Sequence, residues 1–198
     1  MSFLLSRLFP SLTWRINTKE KILYLTFDDG PIPEVTPWVL DKLNEYGAKA
    51  TFFCVGENAR KNPTILERII AENHSVGNHT MNHLNGWNVN TGNYISNIDS
   101  CSKYVSSNLF RPPYGRIRIS QIQSVKKKYK IMMWNVLSKD YDITLTGQQC
   151  FEIVKRKSKA GSIVVFHDSI KAKNRLQEAL PATLNYFSNL GYRFDALT

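Results

Sequence analysis

Residues 22–31, ILYLTFDDGP, open with six residues suited to a buried strand and end with four suited to a turn. A continuous apolar, β-rich run signals a parallel strand covered on both faces, and Asp, Gly and Pro each favour a reversal of the chain. Two adjacent carboxylates, Asp28 and Asp29, therefore arrive at the C-terminal end of a strand. The same unit recurs along the chain. An amphipathic stretch over 34–46 stops at Gly47 and reads as a helix, 50–55 is again a strand, and 63–72 is a helix with Pro63 in its first turn. Further strands are expected at 74–77, 109–110, 131–136, 162–166 and 192–194, with helices at 94–105, 119–128, 147–157 and 176–189. About seven such units are too many for a small doubly wound sheet of this length, so the expected fold is α/β, a compact, incomplete (β/α) barrel with about seven parallel strands. In such barrels the working residues sit where the strands end.

The chain has 198 residues, which on a prior of about 150 per domain argues for a single domain spanning 1–198, with 1–20 as a short lead-in. Hydrophobic residues at 42% and aromatics at 12% suffice for a core and exclude a disordered or collagen-like chain. The net charge of +10 is placed unevenly: residues 1–99 hold 9 basic and 10 acidic side chains, residues 100–198 hold 17 and 6. Such an excess serves either an anionic polymer, lipid surface or nucleic acid, or simply the solvated faces of outer helices. Lys126, Lys127 and Lys128 and the basic residues of 155–159 fall on expected outer helices, which favours the second use. No aromatic-interleaved basic motif is present, so a nucleic-acid partner is not expected. Cys54, Cys101 and Cys150 are far apart and odd in number, which gives no disulfide framework and suits a reducing compartment. No stretch approaches the roughly 18 apolar residues of a membrane span. Residues 1–12 are apolar, but Arg7 and Pro10 interrupt them and no small-residue cleavage site follows, so they make a poor signal peptide. They are expected to form a docking segment, or a strand or helix packed on the barrel.

Polar clusters fall where the strands end. Adjacent carboxylates in a strand point to opposite sides unless the backbone turns, and Gly30-Pro31 supplies a turn; one carboxylate is then free to bind a metal and the other to act as a base, although Asp-Asp-Gly-Pro also serves as a plain turn. His79 and His83 lie four apart, on one face if the segment is helical, within reach of one ion. With an Asp from another strand end they make a two-His, one-carboxylate site suited to hydrolytic Zn²⁺, a set that also serves non-haem iron. His74 is expected to be a packed structural imidazole. Arg111 is always charged and can hold a carboxylate bidentately, Pro112 and Pro113 stiffen the loop that aims the Tyr114 backbone N–H, and His167 stands at the mouth of the core, followed by Asp168.

Thr26-Phe27-Asp28-Asp29-Gly30-Pro31, His79-Thr80-x-x-His83, Arg111-Pro112-Pro113-Tyr114, Asp140-Tyr141 and Val165-Phe166-His167 follow the order and approximate spacing of the five motifs of the polysaccharide deacetylases, carbohydrate esterase family four. The resemblance spans roughly residues 22–194. It implies a deformed (β/α) barrel and metal-dependent hydrolysis of acetyl groups on an acetylated amino-sugar polymer or oligomer, with chitooligosaccharide, peptidoglycan and exopolysaccharide as the substrate classes. It implies Asp29, His79 and His83 as ligands of one divalent ion, Zn²⁺ foremost with Co²⁺, Ni²⁺ and Mn²⁺ as alternatives. Asp28 becomes the base, Arg111 its orienting partner, the Tyr114 N–H an oxyanion donor, His167 the acid and Asp140 the residue that tunes it; Tyr141, Val165 and Pro113 are placed against the substrate. Three positions depart from the family pattern: Leu137 replaces an earlier Asp, Tyr141 a Trp, and Val165 a Leu that lines the acetyl pocket. An O-acetyl esterase and a catalytically silent carbohydrate-binding domain are the competing readings. The family habit is extracytoplasmic, whereas the chain's own beginning reads as cytoplasmic. Oligomeric state is not written in these patterns.

Overall fold

The structure is a computed structural model and describes residues 9–198. Expectations for residues 1–8 lie outside it. Within the described residues the strands are β1 (Leu12–Thr13), β2 (Ile22–Asp28), β3 (Ala50–Cys54), β4 (Ser75–Asn78), β5 (Leu109–Phe110), β6 (Lys130–Met132), β7 (Val136–Leu137), β8 (Ser162–His167) and β9 (Arg193–Phe194). The helices are α1 (Thr36–Glu45), α2 (Gly56–Lys61), α3 (Pro63–Ala71), α4 (Thr91–Cys101), α5 (Ile119–Val125), α6 (Gly147–Lys157) and α7 (Lys173–Asn189). The sheet order is β1-β6-β5-β4-β3-β2-β8-β7, with β9 beside the start of β2, and the strand pairs are parallel.

The two ends of that order meet, but not as a regular ladder. Beyond β1, Arg15 forms an antiparallel bridge with Ser162, and the Ile16 N–H donates to the Gly161 carbonyl at 2.9 Å. The Asn135 side chain donates to Ser162 Oγ at 2.9 Å and accepts from the Ile163 N–H at 2.9 Å. The barrel is thus deformed where it closes. That closure explains two differences from the expected strands. Residues 131–136 are two strands, because over Met133–Trp134–Asn135 the backbone leaves β5 and β1 and crosses to β8. The second addition is β1 itself, so nine strands stand where about seven were expected. Helix α2 was also missed: its GENARK sequence is short and polar, and its first amides are satisfied from outside, Gly56 N by the Thr80 carbonyl and Glu57 N by the Met81 carbonyl. No helix among the described residues is long and apolar enough to cross a membrane.

Strand parity sorts the side chains. Leu23, Leu25 and Phe27 of β2, Ala50, Phe52 and Cys54 of β3, and Val164 and Phe166 of β8 face outward and join Val39, Leu40 and Leu43 of α1 and Leu176, Leu180 and Leu184 of α7 in one core. Phe27 stacks between Phe52 and Phe166, with centroid distances of 5.0 and 6.1 Å. The alternate residues, Thr26 and Asp28, Phe53, and Ile163, Val165 and His167, face into the barrel. Lys126, Lys127, Lys128, Arg156, Lys157 and Lys159 are exposed, but of these only Arg156 and Lys157 lie on a helix; α5 ends at Val125, one residue before the lysine triplet, which is a turn, and Lys159 follows α6. His74 is buried, its Nδ1 accepting from the Ala50 N–H at 3.1 Å, and burial draws it down to about 4: it is a structural, neutral imidazole. Phe27→Ala removes the middle ring of the stack and is expected to lower unfolding free energy by about 3–5 kcal/mol in a denaturant titration; a loss under about 1 kcal/mol would contradict this packing.

Candidate active site

The C-terminal ends of β2, β4, β5, β7 and β8 open onto one cleft of about 560 Å³ whose wall includes Asp28, Asp29, His79, His83, Tyr114 and His167. Parity alone would aim Asp29 away from Asp28. Asp29 adopts a left-handed backbone, φ 87°, which turns its carboxylate back to the same cleft, and the Asn58 amide fastens the Asp29 carbonyl at 2.7 Å. The turn therefore begins at Asp29 itself, one residue before Gly30.

Arg111, fully buried, fills the barrel mouth. Its Nη1 donates to Asp28 Oδ1 and to Thr26 Oγ1, both at 2.7 Å, while Nε and Nη2 donate to the Met132 and Met133 carbonyls at 3.1 Å. The guanidinium lies 4.0 Å over the Phe53 ring. The expected bidentate grip is a single contact, because the other nitrogens are committed to backbone carbonyls. Asp28 Oδ2 consequently has no protein donor among the described residues and is free to take a proton. Burial opposes ionisation of Asp28, but the Arg111 guanidinium foremost, by charge and hydrogen bond, outweighs it and holds the carboxyl below its ordinary value.

His79 and His83 do not share a helix face. The segment after β4 is an irregular loop in which Thr80 and His83 take φ 65° and 58°, and those left-handed steps bring the imidazoles together with centroids 5.1 Å apart. Donor atoms of Asp29, His79 and His83 lie within 4.8 Å of one another, with Asp29 Oδ1 3.3 Å from His83 Nε2 and 4.0 Å from His79 Nε2. The His79 Nδ1 stands 2.8 Å from the Arg111 carbonyl, which can only accept, so Nδ1 carries the proton and Nε2 keeps its lone pair toward Asp29. Burial draws His79 down to about 4, so it is neutral, the form that ligates. This donor set fits a divalent ion with open positions.

On the opposite wall Asp140 clamps His167, Oδ1 on Nδ1 at 2.7 Å and Oδ2 on the backbone N–H at 2.8 Å. Burial alone would lower His167, but the Asp140 carboxylate raises it to about 9 and leaves Nε2 as a proton donor at neutral pH. The Tyr141 ring meets the His167 ring edge-on at 5.2 Å, and Val165 and Leu137 line the floor. Tyr114, exposed and held at φ 60°, packs its ring on His83 at 4.5 Å. Its N–H has no partner among the described residues. Pro113 is buried in the turn under Tyr114 and is not among the residues that line the cleft.

Four residues of this region had no assigned role. Thr26 accepts from Arg111 while its hydroxyl donates to the Val164 carbonyl at 2.8 Å. Trp134 lines the cleft because the chain leaves the sheet there, a break concealed by an apolar run. Arg116 also lines it. Asp168, noted only as the neighbour of His167, is buried; it accepts from Gly30 N at 3.0 Å and Thr36 Oγ1 at 2.6 Å, and its own N–H donates to the Asp28 carbonyl at 3.1 Å. Burial pushes its carboxyl up to about 8 against those two hydrogen bonds. A Cβ on Gly30 would sit 1.9 Å from the Asp168 carboxylate, so only glycine allows the contact.

The fold is a deformed β/α barrel whose strand ends bring a buried carboxylate, a candidate metal triad and a carboxylate-paired imidazole into one cleft, an arrangement suited to hydrolysis. The polysaccharide deacetylase family model matches residues 15–133, and the chain belongs to that family. It is 35% identical over 190 residues to a peptidoglycan-N-acetylglucosamine deacetylase of Bacillus cereus, covering 92% of this chain and 89% of that protein. It is 34% identical over 165 residues to a chitooligosaccharide deacetylase of Azorhizobium caulinodans, covering 78% and 77%. A solved peptidoglycan N-acetylglucosamine deacetylase superposes with TM-score 0.88 at 31% identity, covering 97% of this chain and 94% of that one. A Bacillus anthracis chain described as a family-four pseudoenzyme superposes at 0.81 with 23% identity, covering 95% and 68%, a likeness of fold alone.

Arg111→Leu leaves Asp28 buried without its partner and is expected to cost about 3–5 kcal/mol of stability. Asp168→Ala leaves the Gly30 N–H and Thr36 hydroxyl unpaired and is expected to cost about 1–3 kcal/mol, read by thermal unfolding. For His167 the folded value, about 9, lies above the ordinary 6.5, so its charge stabilises the fold fully below pH 6.5 and the benefit is lost as pH rises through about 9. The stability gap between wild type and His167→Gln should therefore narrow over that window, and a gap that widens would contradict the ion pair.

Proposed function

We propose that this chain removes acetyl groups from N-acetylated amino sugars of a glycan, peptidoglycan foremost, with one divalent ion, Zn²⁺ foremost, held by Asp29, His79 and His83. The observation that carries the reading is that Asp28 Oδ2, the ligand triad and a charged His167 converge on one cleft from three strand ends, those of β2, β4 and β8. A divalent ion at the triad supplies Lewis acidity, lowering the pKa of water toward about 7 and polarising the acetyl carbonyl.

The remaining work falls to the chain's own groups. Asp28, held ionised by Arg111, takes the proton of the attacking water on its free Oδ2. Tyr114 lines the cleft, and its N–H, without a partner among the described residues, donates to the carbonyl oxygen as it gains charge. The C–N bond breaks only as the nitrogen gains a proton, and His167 supplies it from Nε2 while Asp140 steadies the ring. Acetate and a free amine leave. Val165 and Leu137 offer the acetyl methyl an apolar floor, and Trp134 and Tyr141 offer sugar rings an aromatic wall. An O-acetyl ester has a better leaving group and needs less from an acid, so an imidazolium held up to about 9 favours amide over ester substrates.

The test is metal content by elemental analysis together with acetate release from N-acetylglucosamine oligomers, peptidoglycan and acetylated xylan. His167→Ala is expected to keep its metal and lose about 10²–10⁴-fold in kcat, and Asp28→Asn to lose a similar factor. His79→Ala is expected to lose metal and activity together. Acetate release that survives His79→Ala would overturn the ligand set, and a protein that binds metal yet releases no acetate from any substrate would favour the silent binding domain.

A further inference from the structure

The cleft carries a charge excess that deacetylation does not use. Its carboxylates are answered: Asp28 by Arg111 at 2.7 Å, Asp140 by His167 at 2.7 Å, and Asp29 by its place in the ligand triad. Arg116 and Lys171 line the same cavity, both are exposed, and neither is ion-paired among the described residues. They enter from different sides, on the loops that follow β5 and β8, strands separated in the sheet by β4, β3 and β2. The Arg116 guanidinium lies 5.1 Å over the Trp87 ring, which steadies that side chain, and the Lys171 backbone carbonyl accepts from Arg175, which also donates to the Asp140 carbonyl beside His167 and so anchors the loop that carries Lys171 at the cleft.

We infer that Arg116 and Lys171 form a subsite for a carboxylate carried on a sugar adjoining the one that is deacetylated. The inference rests on the deacetylase reading and narrows it to acidic glycans. A neutral oligomer leaves both cations facing water, whereas a carboxylate borne by the glycan reaches them while the acetyl group lies between Asp28 and His167. The pairing is partly solvated, so its effect is modest and salt-sensitive.

Three tetrasaccharide probes separate charge from shape: neutral N-acetylglucosamine; alternating N-acetylglucosamine and N-acetylmuramic acid with free lactyl carboxylates; and the latter with its carboxylates converted to methyl amides. Wild-type kcat/KM on the carboxylate probe is expected to exceed that on the amide probe by about fivefold at low ionic strength, with the gap closing in 0.5 M salt as screening takes over. Arg116→Gln and Lys171→Gln are each expected to bring that ratio toward one through KM, and Arg116→Lys to retain most of it. A wild-type ratio near one, or a ratio that both Gln variants leave intact, overturns the subsite while acetate release from the neutral probe keeps the deacetylase reading. No acetate from any probe sinks the reading and the subsite with it.

Discussion

The buried contact between Arg111 and Asp28 is the constraint around which the rest of the site is arranged. A guanidinium in a barrel interior is tolerable only if its charge is matched and its donors are used. Here one nitrogen serves Asp28 and Thr26, and the others serve the Met132 and Met133 carbonyls. Those carbonyls belong to the point where the chain leaves β6 and crosses toward β7, so the same side chain that holds Asp28 ionised also pins the irregular closure of the barrel. The Arg111 carbonyl, in turn, sets the tautomer of His79. One residue thereby links Asp28, a candidate ligand and the closure.

Backbone strain is concentrated in the same place. Among the described residues, five of the six non-glycine residues with positive φ, Asp29, Thr80, His83, Tyr114 and Lys139, belong to the loops at the strand ends, and each such conformation costs free energy that surrounding contacts must over-determine. Asn78 Oδ1 accepts from Thr80 N at 2.9 Å, Thr80 Oγ1 accepts from Leu84 N at 2.8 Å, and Asp168 holds Gly30 from below. Function here depends on this supporting polar shell as much as on the groups that face the cleft. A barrel of this kind is a scaffold, and its chemistry resides in the residues on its rim.

The uneven charge of the chain resolves into two populations. Most of the lysines and arginines of the second half are exposed, in α6 and above all in the turns, loops and short strands outside the helices, where they speak to solubility. Arg116 and Lys171 are different, since they line the cavity and have no ion-pair partner among the described residues.

Local sequence was sufficient for the alternation of strands and helices, for the barrel class and for most of the residues that meet in the cleft. Apolar runs of strand length and amphipathic stretches of helix length carry their own periodicity, and the five motifs carry their residue types. It failed where geometry is non-local. Spacing made His79 and His83 a helical pair, but left-handed steps at Thr80 and His83 bring them together instead. An apolar run over 131–136 concealed the break that turns Trp134 into the cleft, and a polar hexapeptide concealed α2, whose first amides are satisfied by a loop distant in sequence. Asp168 had no signal of its own, because its role exists only once β8 lies beside β2 and its carboxylate reaches Gly30. The sequence by itself determined which elements form and which reactive side chains lie near their ends, since those follow from propensity and period along the chain. Only the tertiary structure decided which oxygen of Asp28 is free and which nitrogen of His79 is bare, because each is set by Arg111, more than thirty residues away, and which cations line the cleft, because strands distant in sequence meet there.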